Sequence, residues 1–241
     1  MTGGRFYEEP DSQSAIRSAP AVLRNCSPIG DMLADWLPES GTVLEIASGT
    51  GEHALAFATR FANLTWQPSD RDPLALASIA ARQRGGPLNL CQPLTIDAEL
   101  PDWPNASADA MLCINIDSCS CDEPKTPEKR GYSAVLCMNM VHISPWTAAL
   151  GLLNGSAKVL KPGGALILYG PWLQAGVTTA PSNVAFDQSL KERDPAWGLR
   201  SVEDLEAEAV KRGFALEQVR HMPANNLMLL LRLLPVDAEA G

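Results

Sequence analysis

The sequence predicts an α/β fold with a mostly parallel sheet, helices on both faces and an antiparallel hairpin at its C-terminal end. Short apolar segments alternate with helical patterns, beginning with the strand and glycine turn of residues 42–53, as expected of parallel strands joined by crossover helices. Near the C-terminus, only residues 221–226 separate strands predicted at 214–220 and 227–234. So short a connection makes neighbouring strands antiparallel.

The first predicted strand runs directly into a glycine turn that opens a helix. Residues 43–46 are almost continuously apolar, which is typical of a strand buried on both faces of a parallel sheet. Ala47, Gly49 and Gly51 follow at the point where strand becomes helix. There glycine permits close approach of a ligand, and the helix start offers unpaired N–H donors. We therefore predict a nucleotide-cofactor site at this turn.

Acidic residues near the ends of three predicted strands refine this prediction. Asp70 follows the turn at about the 20-residue offset of a carboxylate that binds ribose hydroxyls, which suits both NAD and S-adenosylmethionine. Glu45 lies inside an apolar strand, where a carboxylate needs an opposite charge. The ammonium group of S-adenosylmethionine would supply that charge, with a protein arginine or backbone donor as the structural alternative. Asp97, after a strand at 94–96, suits an adenine amino group.

Composition favours one intracellular domain that acts on a small molecule. The chain has 241 residues, 46% of them hydrophobic, and a net charge of −9. This length suits a single core, and the negative charge disfavours nucleic acid and anionic membranes as partners. Without an apolar run of ~18 residues or a signal-peptide core, we expect a cytoplasmic protein with reduced cysteines. We predict a flexible tail at 1–23, a domain at 24–234 with an insertion at about 116–133, and a tail at 235–241; the oligomeric state stays open.

The remaining elements follow in chain order from capping and stop signals. Ser27 and Pro28 suit the cap and first position of a helix ending at Pro38, since proline is tolerated there. Further predictions are helices at 73–84 and 146–160, a stop at 161–164, a strand at 165–169, an irregular lid or substrate wall at 172–200, and a helix from Ser201 to 212.

Two near-copies compete for the place of the fourth strand, residues 110–116 and 134–140. We favour the second copy because it runs directly into the segment 141–146 and the helix beyond it. That choice predicts buried side chains at Leu136 and Met138. It also predicts that Asn139 emerges at the cofactor crevice, and that the charged residues 122–130 form an exposed loop.

A zinc site is a weak alternative use of the cysteines in this region. Structural zinc sites usually show paired Cys-x₂₋₄-Cys ligands, whereas this chain has one Cys-x-Cys and two thiols within strands. The side chains concerned are Cys113, Cys119, Cys121, Cys137 and His142. We predict no metal.

Several motifs resemble the methyltransferase-like protein 26 family of class I S-adenosylmethionine-dependent methyltransferases. They are EIASGTGEH at 45–53, WQPSD at 66–70, NMVHISPW at 139–146, LYGP at 168–171, SN at 182–183, DPAWG at 194–198 and MPANN at 222–226. The resemblance covers residues 24–233 and implies a Rossmann-like, seven-stranded class I fold. It also implies cofactor contacts at Glu45, Gly49, Gly51, Asp70 and Asp97, with Asn139 just past strand four. The chain departs from the family in an extra segment at about 116–134.

The residues do not identify the methyl acceptor, so three functions stay open. The first is a methyltransferase with a small polar substrate, in which His142 and Tyr169 orient or deprotonate the nucleophile and Asn183, Asn225 and Asn226 hold the substrate. Each of these residues also has a structural alternative. The second is a non-catalytic S-adenosylmethionine-binding module, and the third an NAD-dependent oxidoreductase that uses Tyr169 as proton donor.

Overall fold

The computed structural model describes residues 16–18, 20–100, 103 and 131–235. The chain divides into two compact units, residues 1–97 and 98–241. The described residues include a seven-stranded, mostly parallel sheet. The α/β fold with a C-terminal antiparallel pair is confirmed. In this part of the chain, no helix combines the length and apolar character needed to cross a membrane.

The first unit alternates helices and parallel strands. Its elements are α1 Pro20–Trp36, β1 Gly41–Ile46, α2 Glu52–Arg60, β2 Leu64–Asp70, α3 Pro73–Arg84 and β3 Leu94–Thr95. Strand β2 pairs in parallel with β1 on one side and with β3 on the other. The indole of Trp66 on β2 lies 5.6 Å from the ring of Phe57 and 6.3 Å from that of Phe61. Aromatic packing therefore fixes α2 against this strand.

Helix α1 begins at Pro20, seven residues before the predicted cap at Ser27, and Pro28 lies inside it. Proline in a helix interior removes one backbone hydrogen bond, which is why the sequence indicated a helix start there. The helix continues because it buries Ile29, Leu33 and Trp36 against the unit. The predicted boundary of the N-terminal tail at residue 23 consequently falls within a helix.

The second unit carries the other four strands of the sheet. Its elements are β4 Tyr132–Met138, α4 Trp146–Val159, β5 Leu160–Gly170, β6 Trp172–Leu173, α5 Pro181–Arg193, β7 Arg200–Ser201, α6 Val202–Val210, β8 Phe214–Met222 and β9 Asn226–Leu233. Strands β4 and β5 are parallel, and β9 pairs antiparallel with both β5 and β8. Strands β6 and β7 form a separate parallel pair.

Strand β4 corresponds to the second of the two near-copies. Leu136 and Met138 are buried in it, as predicted. The first copy, residues 110–116, and the loop at 122–130 lie outside the described residues.

Two predicted segments of this unit differ from the structure. The expected stop at 161–164 is the beginning of β5, which follows α4 without a loop. The expected irregular segment at 172–200 contains α5 and the strands β6 and β7. Helix α5 buries only Asn183 and Leu190, so the sequence carries little apolar periodicity to indicate a helix.

Candidate functional site

The glycine turn of the first unit is a left-handed backbone segment held against β2. Ala47, Gly49 and Gly51 all have positive φ, at 57°, 58° and 79°. The backbone N–H of Ser48 donates to the Ser69 carbonyl at 2.8 Å. A left-handed conformation is costly for alanine, so the turn is fixed by its contacts to the neighbouring strand.

Asp70 connects the predicted ribose site to this turn. Its Oδ2 accepts a hydrogen bond from the Gly49 N–H at 2.8 Å, and its Oδ1 accepts one from the Asp72 N–H at 2.9 Å. Burial raises the pKa of Asp70, while these backbone donors oppose the rise. Each carboxylate oxygen has two lone pairs. Asp70 therefore holds the turn through a carboxylate that backbone donors, including that of Arg71, surround at the end of β2.

Glu45 is only 1% exposed, and its partner is an indole. Its Oε2 accepts a hydrogen bond from Trp66 Nε1 at 2.7 Å. Burial raises the pKa of Glu45 from 4.5 to about 8, although the indole donor lowers it. The donor is a tryptophan side chain and not the arginine or backbone donor expected as the structural alternative. With this pKa the side chain is mainly neutral at pH 7.

Gly51 has a packing role that the sequence did not indicate. A Cβ built at this position would lie 3.0 Å from Ile79 Cγ1 and 3.1 Å from Ile79 Cα. The space left by the missing side chain is therefore occupied by α3. The predicted reason for glycine at residue 51, room for a ligand, is replaced by close helix packing together with the positive φ.

A clamp formed by Arg82 on α3 secures the same turn. Arg82 Nε donates to the Thr50 carbonyl at 2.9 Å, and Arg82 Nη2 donates to the Arg17 carbonyl at 2.7 Å. The guanidinium also lies 3.5 Å from Glu52 Oε1. Ser78 Oγ donates a second hydrogen bond to the Thr50 carbonyl at 2.9 Å. Sequence reasoning missed this clamp because arginine and serine are ordinary residues on the polar side of a helix.

The segment before α1 completes the clamp. The Arg17 backbone N–H donates to Ser78 Oγ at 2.9 Å, and its Nη1 lies 3.2 Å from Asp72 Oδ2. Asp72 is the residue whose N–H binds Asp70. Arg17 is thus tied to α3 and to its N-cap residue Asp72, close to the predicted cofactor site.

Asp97, the predicted adenine partner, lies just beyond β3. Its Oδ2 is 3.5 Å from Arg71 Nη1. This ion pair is partly exposed, and such pairs are weak. An adenine amino group would therefore compete with Arg71 for this carboxylate.

In the second unit, Asn139 and His142 follow β4. Asn139 has a left-handed backbone, with φ 59°, and its N–H donates to the Tyr169 carbonyl at 2.8 Å. His142 is 6% exposed and packs edge-on against Phe186. Burial, with a smaller effect of Arg200, lowers the pKa of His142 to about 4. The imidazole is consequently neutral at pH 7.

Tyr169 and the three predicted substrate asparagines belong to one hydrogen-bond network. Asn226 Nδ2 donates to Tyr169 Oη at 3.0 Å and to the Pro223 carbonyl at 3.1 Å. Asn183 Nδ2 donates to the Asn225 carbonyl at 2.9 Å, and Asn225 Nδ2 donates to Ser182 Oγ at 3.2 Å. The network joins the end of β5, the start of α5 and the β8–β9 connection.

Metal ligation has no support in the part of the chain that the structure describes. No group of three or more His, Cys, Asp or Glu side chains there could hold an ion. Cys137 is a buried cysteine in β4. Cys113, Cys119 and Cys121 lie outside the described residues.

The parallel sheet and the glycine turn that Asp70 holds are features of the Rossmann-like methyltransferase fold. Several solved structures share this fold. The mitomycin 7-O-methyltransferase MmcR matches with a TM-score of 0.67 and 16% identity, over 89% of this chain and 55% of that one. An O-methyltransferase family protein from Burkholderia thailandensis matches with a TM-score of 0.66 and 16% identity, over 89% and 57%. At this identity the likeness concerns the fold, and the chain spans little more than half the length of these proteins.

A third similar structure is the O-methyltransferase NcsB1 from neocarzinostatin biosynthesis, solved with S-adenosylmethionine and 2-hydroxy-5-methyl naphthoic acid. It matches with a TM-score of 0.63 and 15% identity, over 89% of this chain and 55% of that one. The family described as "Protein of unknown function (DUF938)" matches residues 16–232. The chain therefore belongs to that family.

Proposed function

We propose that this protein is an S-adenosylmethionine-dependent methyltransferase that acts on a small polar molecule. The observation that carries the proposal is the Asp70 carboxylate, which lies at the end of β2 and accepts the Gly49 N–H of the glycine turn. This arrangement suits two ribose hydroxyls beside a turn that a cofactor approaches. The shared fold supports the proposal, as does the presence of S-adenosylmethionine in the similar NcsB1 structure.

The residues of the first unit fit the cofactor in chemistry and burial. Bound S-adenosylmethionine would supply a methyl group, activated by the sulfonium that carries it, for transfer to a nucleophile of the substrate. Asp70 would bind the ribose, and Asp97 would bind the adenine amino group. The backbone of the turn at Ala47, Gly49 and Gly51 would contact the cofactor. A buried carboxyl such as Glu45 becomes ionised when a cation lies beside it, so the cofactor ammonium group would convert Glu45 into its counter-ion.

The second unit would orient the acceptor more than deprotonate it. General bases work best with a pKa near the working pH, and the pKa of His142 is about 4. Burial raises the pKa of Tyr169 to about 12, while its hydrogen bond from Asn226 lowers it. His142 would therefore act as a neutral hydrogen-bonding group and Tyr169 as a donor.

The three asparagines differ in their fit to the proposed substrate role. Asn183 is buried and donates to the Asn225 carbonyl, so its amide shapes the loop. Asn225 also donates within the loop. Asn226 remains the better candidate for substrate contact because it holds Tyr169. The motifs quoted above support a further proposal, membership of the methyltransferase-like protein 26 family.

Two titrations and one turnover assay test the proposal against its alternatives. Calorimetric titration with S-adenosylmethionine and with NADH should show binding of the first compound alone. Tight binding of NADH would favour the oxidoreductase. Incubation with metabolite pools should release S-adenosylhomocysteine; cofactor binding without any release would favour the non-catalytic module.

A further inference from the structure

Tyr169 places a hydroxyl group at a position where α/β proteins bind ligands. It lies next to the last residue of β5, which is parallel to β4. In open α/β sheets, ligands bind beyond the carboxyl ends of the parallel strands. The side chain is only 3% exposed, so the hydrogen-bonding state of its hydroxyl matters energetically.

The contacts of Asn226 determine which way its amide points. One amide atom lies 3.0 Å from Tyr169 Oη and 3.1 Å from the Pro223 carbonyl oxygen. A carbonyl oxygen can only accept. The atom between the two groups must therefore be the nitrogen, which has two hydrogens and donates one to each oxygen. The reversed amide would place two oxygens against each other at Pro223.

This orientation makes Tyr169 Oη an acceptor toward Asn226 and leaves its own hydrogen available. Among the described residues, the hydroxyl hydrogen of Tyr169 has no acceptor. A buried polar hydrogen without an acceptor is destabilising. Because the pKa of Tyr169 is about 12, the hydroxyl keeps this hydrogen at any ordinary pH. The residue is a permanent donor that needs an acceptor.

Among the described residues, the polar side chains that flank the end of β5 are uncharged at pH 7. A Cβ built at Gly170 would lie 3.2 Å from the His142 ring and 3.7 Å from Asn139 Oδ1, so both side chains flank this strand end. His142 is neutral at pH 7, and Asn139 carries no charge. Arg200, which influences His142, donates through Nη2 to the Ser144 and Ala196 carbonyls. The side chains that flank this strand end therefore offer hydrogen bonds rather than charge, and the cation Arg200 acts on them through His142.

We propose that Tyr169, oriented by Asn226, donates a hydrogen bond to an uncharged hydroxyl or carbonyl oxygen of the methyl acceptor. The acceptor is then a neutral hydroxy compound, such as an alcohol or a phenol, and not a carboxylate or an amine. This inference rests on the proposed methyltransferase function and deepens it by naming the substrate class.

The test compares the full chain with Tyr169→Phe on a panel of matched alcohols, phenols, carboxylates and amines, with S-adenosylhomocysteine release as the readout. We expect turnover of uncharged hydroxy compounds. In Tyr169→Phe we expect kcat/KM to fall about tenfold to hundredfold, the factor for one lost hydrogen bond in a buried site. Most of the change should lie in KM, because the contact is made in the ground state as well. Tyr132→Phe, which removes a hydroxyl at the opposite end of β4, should retain kcat/KM if it folds.

Calorimetry with S-adenosylmethionine distinguishes a failure of the proposed methyltransferase function from a failure of the inference about Tyr169. Equal cofactor affinity in the full chain and in Tyr169→Phe is expected. Failure of the full chain to bind S-adenosylmethionine would refute the proposed function itself. Three outcomes would overturn the inference about Tyr169 if the full chain binds the cofactor. The first is turnover of carboxylates or amines alone, and the second is no turnover of any hydroxy compound. The third is an equal kcat/KM in the full chain and in Tyr169→Phe.

Discussion

Two buried carboxylates of the first unit are stabilised by different donors, and the difference determines what each can do. Backbone N–H groups hold Asp70 on both oxygens. Glu45 has the indole of Trp66. Backbone donors favour the ionised form, so Asp70 suits a role as a charged acceptor, whereas the pKa of Glu45 near 8 makes it sensitive to the arrival of a cation.

The first prediction concerns Asp70→Asn. The substitution keeps the size of the side chain but replaces one acceptor oxygen with a donor. We expect S-adenosylmethionine affinity to fall by about 1.5–3 kcal/mol, the range for hydrogen bonds to a charged group. Calorimetry measures the affinity, and a thermal melt verifies folding. The control Asp35→Asn changes an exposed acid on α1 and should bind normally. Normal affinity in a folded Asp70→Asn would remove Asp70 from the cofactor site.

The second prediction concerns the pH dependence of stability through Glu45. Its pKa is about 8 in the folded chain against an ordinary 4.5, so the folded state binds the proton more tightly. Stability contributed by Glu45 is therefore present below pH 4.5, declines as pH rises toward 8, and is lost above that value. The histidines His53 and His142, with pKa lowered to about 4, are already neutral above pH 6.5.

Thermal melts of the wild type and Glu45→Gln between pH 6.5 and 9 test this. Glutamine can still accept the Trp66 hydrogen bond but does not ionise. We expect the wild type to lose stability over this range relative to the variant, with the gap widening toward pH 8. Parallel curves for the two proteins would contradict the raised pKa of Glu45.

At the scale of elements, the sequence predicted best the helices whose ends carry residues typical of helix starts and stops. Helix α3 was predicted at its observed bounds because Pro73 and Gly85 mark its two ends, and Asp72 caps it by accepting the Leu74 N–H. The start of α1 and the whole of α5 were missed for opposite reasons. In α1 the interior Pro28 was interpreted as the first residue of the helix. In α5 most side chains are not buried, so the sequence has no apolar stripe that would indicate a helix.

The third prediction concerns the clamp between α3 and the glycine turn. Arg82→Ala removes the donors to the Thr50 and Arg17 carbonyls. We expect about tenfold weaker binding of S-adenosylmethionine, equivalent to about 1.4 kcal/mol, because the turn is then less well ordered before binding. Arg82→Lys should be intermediate, since lysine lacks the planar fork of arginine donors.

Calorimetry well below the melting temperature of each variant gives the affinities. Arg84→Ala alters an exposed arginine on the same helix and should leave the affinity unchanged. If Arg82→Ala lowers the melting temperature but binds the cofactor normally, the clamp serves stability alone.

At the scale of the whole molecule, the sequence indicated where candidate residues lie along the chain better than it indicated which residues they contact. The prediction that Asp70, Asp97 and Asn139 belong to the site came from their places at the carboxyl ends of strands, because parallel strands end at one edge of a sheet. Contacts such as Arg82 to Thr50 join residues far apart in sequence, and no local pattern indicates them. The same limit explains why the role of Gly51 against Ile79 became evident only in the structure.

The last prediction concerns the duplicated strand. Strand β4 begins at Tyr132, which is fully buried and pairs with Leu160, so the full removal of residues 111–133 suggested by the repeat would cut into the core. Deleting residues 111–130 instead joins Ala110 to Gly131 and keeps all of β4. We expect this shortened chain to fold and to bind S-adenosylmethionine at least as tightly as the full chain, because β4 already supplies a complete strand and closing a shorter connection costs less entropy.

Thermal melts and cofactor titration of the shortened and full chains provide the measurement. A second deletion of 111–133 is the matched comparison, and it should be less stable because it removes Tyr132. If the 111–130 deletion fails to fold while the full chain folds, the first copy or its connection has a structural role that β4 does not replace. Equal melting temperatures for the two deletions would show instead that Tyr132 contributes little to the core.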